Sequence, residues 1–212
     1  MKTIDWYFDF ISPYAYLQSY SLNDFVMDAV VQCKPILFAG LLNHWGQKGP
    51  AEIPGKRVWT FEDITWKAHT RGIALTLPPA HPFVPLQLLR LCILFDSKLD
   101  VVQRLFQFVW KEGKSPADEA AWAELLEEFQ VKPDELDDPE LKQALRDNTN
   151  EAIARGVFGV PTCAIGERLI WGFEANDMVR AALADDPFFS SAALQAAHAL
   201  PDGVHRTAKV RS

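Results

Sequence analysis

Three short segments of the chain carry residue types that can do chemistry. The first is Phe8-Asp9-Phe10-Ile11-Ser12-Pro13-Tyr14-Ala15-Tyr16. A serine before a proline is a helix-start signal, because serine caps the first free N–H groups and proline suits the first helical position. A helix N-terminus is also electropositive, so a thiol held there is acidified. Cysteine stands at neither end of the Ser12-Pro13-Tyr14-Ala15 window, which excludes dithiol redox chemistry at this place. The Ser12 hydroxyl can instead donate to the sulfur of a bound thiol, or act as a plain cap.

The second segment, Gly156-Val157-Phe158-Gly159-Val160-Pro161-Thr162, has the form of a cis-proline turn feeding a strand. In that form the Val160 N–H and C=O are free to pair, strand-like, with a peptide backbone. The alternative is a trans proline at an ordinary strand start. The third segment, Trp171-Gly172-Phe173-Glu174-Ala175-Asn176-Asp177, opens the last helix. Asn176 and Asp177 can meet the carboxylate and ammonium of an amino-acid-like ligand there, or can simply cap the helix. Lys48, Lys56 and Arg57 are candidates for holding an anion, against a reading as solvated loop charges. His81, between prolines and beside Phe83, is a candidate pocket-lining residue or a structural loop histidine. Trp45, Trp59 and Trp66 are candidate aromatic walls or core residues.

The elements that must position these residues follow from pattern. Residues 4–10 alternate as a strand, a helix runs from Pro13 to Met27, and Val30–Phe38 is a strand interrupted by Pro35. Residues 40–58 read as a long loop rich in glycine and proline. Helices are expected at Thr60–Arg71, Leu86–Asp96, Val101–Glu112, Asp118–Phe129 and Pro139–Arg155, with no helix across the prolines of 77–82. Two short strands, Thr162–Ile165 and Arg168–Trp171, form a hairpin before a helix from Asp177 to Ala184. The order is β-α-β, a mostly helical insertion, then β-β-α. Its expected boundaries are 1–58 with 156–200 for the sheet-bearing domain, 59–155 for the insertion, and 201–212 for a disordered tail.

The 212 residues are 49% hydrophobic, enough for one well-packed core with a sizeable insertion. A net charge of −7 argues against nucleic acid as the main partner but leaves room for a small anion held by local cations. No secretory signal or membrane-length apolar run is visible, so a cytoplasmic location is expected. The three cysteines, Cys33, Cys92 and Cys163, show no paired or metal-ligand spacing, and the five histidines form no i, i+4 pair, so no metal is expected.

Taken together and in this order, the motifs resemble the 2-hydroxychromene-2-carboxylate isomerase family, itself similar to the kappa-class glutathione transferases and to DsbA-like proteins. The resemblance spans roughly residues 4–185 and is most specific in the Phe8–Leu17 and Val157–Thr162 segments, with Gly49-Pro50 also matching. It implies a thioredoxin-like fold, bound glutathione, Ser12 as the catalytic residue, and Val160, Asn176 and Asp177 as glutathione contacts. Asn176 would meet the γ-glutamyl carboxylate and Asp177 the ammonium. It also implies a homodimer and a small aromatic carboxylate or other electrophile as substrate, with interconversion of a cyclic chromene carboxylate and its open-chain benzylidenepyruvate in aromatic hydrocarbon breakdown. The chain departs from the family pattern where Phe173, Glu174 and Ala175 precede Asn176, where Met178 replaces an arginine, and where the Pro50–Pro54 stretch lacks an asparagine. Two other functions share these motifs: a kappa-class-like transferase or peroxidase, and a non-enzymatic DsbA-like peptide-binding module. Asn176-Asp177 favours the glutathione readings over the peptide module.

Overall fold

A computed structural model of the chain describes residues 1–203. The expected disordered tail lies, from residue 204 on, outside the described residues. Strand β1 (Lys2–Phe8) leads into helix α1 (Pro13–Phe25) and strand β2 (Ala29–Pro35). β1 and β2 run parallel, in register from Lys2↔Ala29 to Phe8↔Pro35, and α1 is the crossover that a parallel pair requires. Pro35 ends β2 rather than interrupting a longer strand, since it brings no N–H to a ladder.

The stretch expected as a loop at 40–58 is mostly helical. It holds α2 (Phe38–Trp45), a 3₁₀ turn at Pro50–Glu52 and the start of α3 (Pro54–Arg71). Some of its glycines and prolines are helix boundaries: Gly46 closes α2 at φ 61°, and Pro54 takes the first position of α3. Four helices follow: α4 (Leu86–Leu94), α5 (Leu99–Trp110), α6 (Glu119–Phe129) and α7 (Pro139–Ala154). Asp118 caps α6 and Asp138 caps α7 through their carboxylates. The chain then returns to β3 (Thr162–Ile165), β4 (Arg168–Trp171), α8 (Asn176–Leu183) and a further short helix, α9 (Ala192–His198).

The four strands lie in the order β2-β1-β3-β4, with β3 antiparallel to both neighbours. Both faces of β1 are buried. On one face Trp6 stacks on Phe8 at 4.4 Å, and Phe106 of α5 packs against Phe8 at 5.6 Å and Phe10 at 4.7 Å. On the other, Tyr7 packs with Ile36, Leu41, Ala152 and Val157. The second cluster also takes in α7. α7, grouped with the helical block by its sequence pattern, lies against the sheet, where Asn148 Nδ2 donates to the Pro35 carbonyl at 3.2 Å. Thr149 Oγ1 likewise accepts from the Leu37 N–H at 3.0 Å. Among the described residues, no helix is long and apolar enough to cross a membrane.

Phe106 joins α5 to the end of β1 and is fully buried. Phe106→Ala is expected to cost about 3–5 kcal/mol of stability, read as a drop in the urea unfolding midpoint. A loss under about 1 kcal/mol would show that α5 is not a main support of the strand end.

Candidate active site

The turn from Asp9 to Ser12 joins the end of β1 to the start of α1, and its polar groups are held by the protein itself. The Ser12 N–H donates to the Asp9 carbonyl at 3.0 Å. The Ile11 N–H donates to Asp9 Oδ1 at 3.1 Å, and the Phe10 carbonyl accepts from Trp110 Nε1 at 2.8 Å. The Ile11 carbonyl is bonded to His81 Nε2 at 2.8 Å. Ser12 caps α1: its Oγ accepts from the Ala15 N–H at 3.2 Å and donates to the Val160 carbonyl at a long 3.5 Å.

Val160 precedes Pro161 through a cis peptide bond, as its motif predicts, and faces the capping serine. Its N–H makes no hydrogen bond among the described residues, which leaves a backbone donor beside Ser12. Gly159 is required here by close approach, because a Cβ would lie 2.5 Å from Trp171 Nε1. Trp171, at the end of β4, lies over that glycine and meets Phe158 edge-on at 5.1 Å.

Ser12, Val160, Phe158 and Trp171 open into a cavity of about 810 Å³, in the size range of small-molecule sites. Its apolar wall includes Leu37, Phe38, Leu42, Phe83, Val84 and Leu86, while Lys48 and Lys56 are exposed cations on its lining. The other expected residues are placed differently. Arg57 is not on the lining; its Nη1 donates to the His81 carbonyl at 2.6 Å and its guanidinium lies over the Phe61 ring. His81 does line the cavity, but Nε2 is committed to Ile11.

Neither Asn176 nor Asp177 lines the cavity. Asn176 Oδ1 accepts from Gln18 Nε2 at 2.8 Å, and its Nδ2 donates to Ser21 Oγ at 3.0 Å. Gln18 in turn accepts from Trp6 Nε1 at 2.7 Å. Asn176 therefore ties α8 to α1 and does not cap its own helix. Asp177 is solvated and pairs with Arg180 at 3.1 Å. The reason is local: the residues after Gly172 form a 3₁₀ turn, Phe173–Ala175, which turns Asn176 toward α1. Trp45 donates to the Val157 carbonyl at 2.9 Å, and Trp59 and Trp66 stand exposed on α3, so none of the three tryptophans forms the cavity wall or the core.

Sequence reasoning missed Asp9, Phe38, Phe158 and Trp171 on the cavity lining, and the role of Tyr14. Tyr14 Oη donates to Asp63 Oδ2 at 2.7 Å; Asp63 also pairs with Lys67, which reaches Glu174 at 3.0 Å. The available signal for Asp9 was a lone acid between two aromatics at the end of a strand. Asp9 is 1% exposed, and its second oxygen accepts from the Phe38 N–H at 2.9 Å. Burial pushes its carboxyl up to about 7, with the backbone N–H donors opposing. Burial also lowers His81 below the usual imidazole range, which keeps the ring neutral at pH 7. The three thiols are buried; burial pushes Cys33 and Cys163 up to about 12 and raises Cys92 as well. The site thus presents the electropositive end of α1 and the Ser12 hydroxyl to the cavity, with no thiol of its own able to ionise near neutral pH.

A capping serine facing a cis-proline turn, on a β-α-β…β-β-α sheet with helices between the halves, defines a thioredoxin-like protein without a redox dithiol. The chain belongs to the DSBA-like thioredoxin domain family, which matches residues 3–184. It is 34% identical over 178 residues to "Glutathione s-transferase kappa 2" of Caenorhabditis elegans, covering 76% of this chain and 79% of that protein. It is 26% identical over 194 residues to "2-hydroxychromene-2-carboxylate isomerase" of Sphingobium xenophagum, covering 87% of this chain and 99% of that protein. A solved 2-hydroxychromene-2-carboxylate isomerase superposes with a TM-score of 0.74 at 24% identity, covering 94% of this chain and 100% of that one.

The raised Asp9 carboxyl has a consequence for stability. The folded state holds this proton more tightly than the unfolded chain, so the group's contribution to stability is complete below about pH 4 and is lost as pH rises toward about 7. Asp9→Asn, which cannot ionise, is expected to show a flatter stability profile over that window in denaturant titrations. Parallel profiles for the two proteins would remove Asp9 as the source of the slope.

Proposed function

We propose that this chain is a glutathione-dependent isomerase resembling 2-hydroxychromene-2-carboxylate isomerase, acting on a small aromatic carboxylate. The observation that carries the reading is Ser12 at the N-terminus of α1, opposite Val160, in a protein whose own thiols are buried and held protonated. A sulfur nucleophile at this place has to arrive with a ligand.

The residues present fit glutathione. When bound, it supplies a thiolate nucleophile to the site. The Ser12 hydroxyl and the electropositive end of α1 would hold the sulfur. The Val160 N–H and C=O would pair with the cysteinyl backbone. On the other side, the apolar wall and the Phe158–Trp171 pair would offer ring faces to an aromatic substrate. Lys48 and Lys56 would draw its carboxylate to the mouth of an otherwise acidic protein. Asn176 and Asp177, proposed as contacts for the γ-glutamyl end, require Asn176 to exchange its Gln18 and Ser21 partners.

The curated relatives carry names of both activities, and the Caenorhabditis elegans relative supports a second reading as a kappa-class-like transferase. The aromatic wall with two lysines favours the isomerase. A substrate panel separates them: rapid equilibration of chromene and open-chain pyruvate forms supports the isomerase, and stable glutathione conjugates support the transferase.

Glutathione titrated into the protein is expected to give saturable thiolate absorbance in the ultraviolet at neutral pH. Ser12→Ala is expected to lose this signal and to slow turnover on the order of 100-fold or more. Near-normal turnover in the variant would remove Ser12 from the mechanism. The Lys48→Ala/Lys56→Ala double variant is expected to raise KM for an anionic aromatic substrate and leave a neutral electrophile unaffected. An equal effect on both would end the assignment of the lysines to the carboxylate.

A further inference from the structure

The geometry points to His81 as a positioning residue for Ser12. By holding the Ile11 carbonyl, it sets the orientation of the peptide that leads into the capping serine, and through it the acidity of a thiol bound there. The inference rests on the glutathione reading of the site.

Ser12 Oγ has one ordinary bond, from the Ala15 N–H of its own helix at 3.2 Å, and one long one, to the Val160 carbonyl at 3.5 Å; among the described residues no side chain of another element fixes it. The direction of the hydroxyl is therefore inherited from the backbone before it. That backbone is gripped on both sides of Ile11: Asp9 Oδ1 accepts from its N–H at 3.1 Å, and in the peptide that follows His81 Nε2 holds the Ile11 C=O at 2.8 Å while the Ser12 N–H donates to the Asp9 carbonyl at 3.0 Å. A carbonyl only accepts, so Nε2 carries the proton and Nδ1 is the bare nitrogen.

Nδ1 is buried without a hydrogen-bond partner. The ring sits among Phe61 at 5.2 Å, Trp110 at 5.7 Å and Phe83 at 6.2 Å. It offers no free nitrogen to a ligand, so its contribution to the site passes through Ile11. The imidazole is itself anchored. Its backbone carbonyl accepts from Arg57 Nη1 at 2.6 Å. Arg57 follows Lys56, which lines the cavity at the start of α3. A chain of contacts thus runs from the substrate side of the site through Arg57, His81 and Ile11 to Ser12. An acceptor left buried and unpaired at Nδ1 is unfavourable, and the bond that Nε2–H makes to Ile11 offsets part of that cost.

The test compares wild type, His81→Gln and His81→Phe as glutathione complexes. Two quantities are read: the pH at which the bound thiol ionises, from thiolate absorbance, and the affinity for S-methylglutathione, which has no thiol. Glutamine retains an N–H donor and phenylalanine has none. His81→Phe is expected to raise the bound thiol's pKa by about one unit, a tenfold loss of thiolate below that pKa, with S-methylglutathione affinity within about twofold of wild type. His81→Gln is expected to return most of the acidity. An unchanged thiol pKa in His81→Phe overturns the inference, as does a Gln variant no better than Phe. Loss of S-methylglutathione binding in both variants also overturns it, because the role would then be structural. Wild-type protein that binds no glutathione overturns the functional reading and this inference together. Thiolate formation in wild type that His81→Phe does not alter overturns the inference alone.

Discussion

The turn between Asp9 and Ser12 runs from a strand buried on both faces directly into a helix N-terminus, and water does not reach its polar groups freely. Buried backbone N–H and C=O groups need partners, and each one here is met from a different part of the chain. Trp110 comes from the end of α5, His81 from the proline-rich segment before α4, and Asp9 from the turn itself. The helical block between the two halves of the sheet is thus part of the site: it supplies donors that hold the serine-bearing turn and, with α3 and the segment before α4, walls of the cavity. An insertion that only covered the sheet would leave these groups unpaired.

The same burial governs the chemistry. Thiols sunk in an apolar core cannot ionise near neutral pH, and an acid at the cavity floor is pushed toward neutrality. At the cavity, positive charge comes from the N-terminus of α1, where a compact anion such as a sulfur would sit, and from the exposed lysines of the lining. A protein with a net charge of −7 can still collect an anionic ligand when its few local cations line an apolar cavity, because a low-dielectric wall strengthens their field.

Helix α8 opens on a residue whose side chain is already engaged by the serine-bearing helix. Asn176 opens α8, where asparagine is a natural cap or ligand contact. The 3₁₀ turn before it redirects the side chain into a chain of hydrogen bonds from Trp6 through Gln18 to Ser21. That chain ties the core strand, the serine helix and α8 together. It stiffens the element that carries Ser12 rather than touching the cavity.

Much of this protein is legible in its residues alone. The alternation of residues 4–8, the Ser12-Pro13 helix start, the Asp118 and Asp138 caps, the Val160-Pro161 turn and the missing cysteine at the helix N-terminus are all local. Each depends on backbone sterics and hydrogen bonds within a few residues, and so survives in a linear reading. The glycine- and proline-rich stretch at 40–58 was misread because both residues mark helix ends as readily as loops, and only packing distinguishes the two. The packing of α7 on the sheet, the Trp171 ring over Gly159, and the Gln18–Asn176 and His81–Ile11 bonds join residues far apart in the chain. No local preference encodes such pairs; they exist because the fold brings buried polar groups and apolar faces together and each must find its complement there.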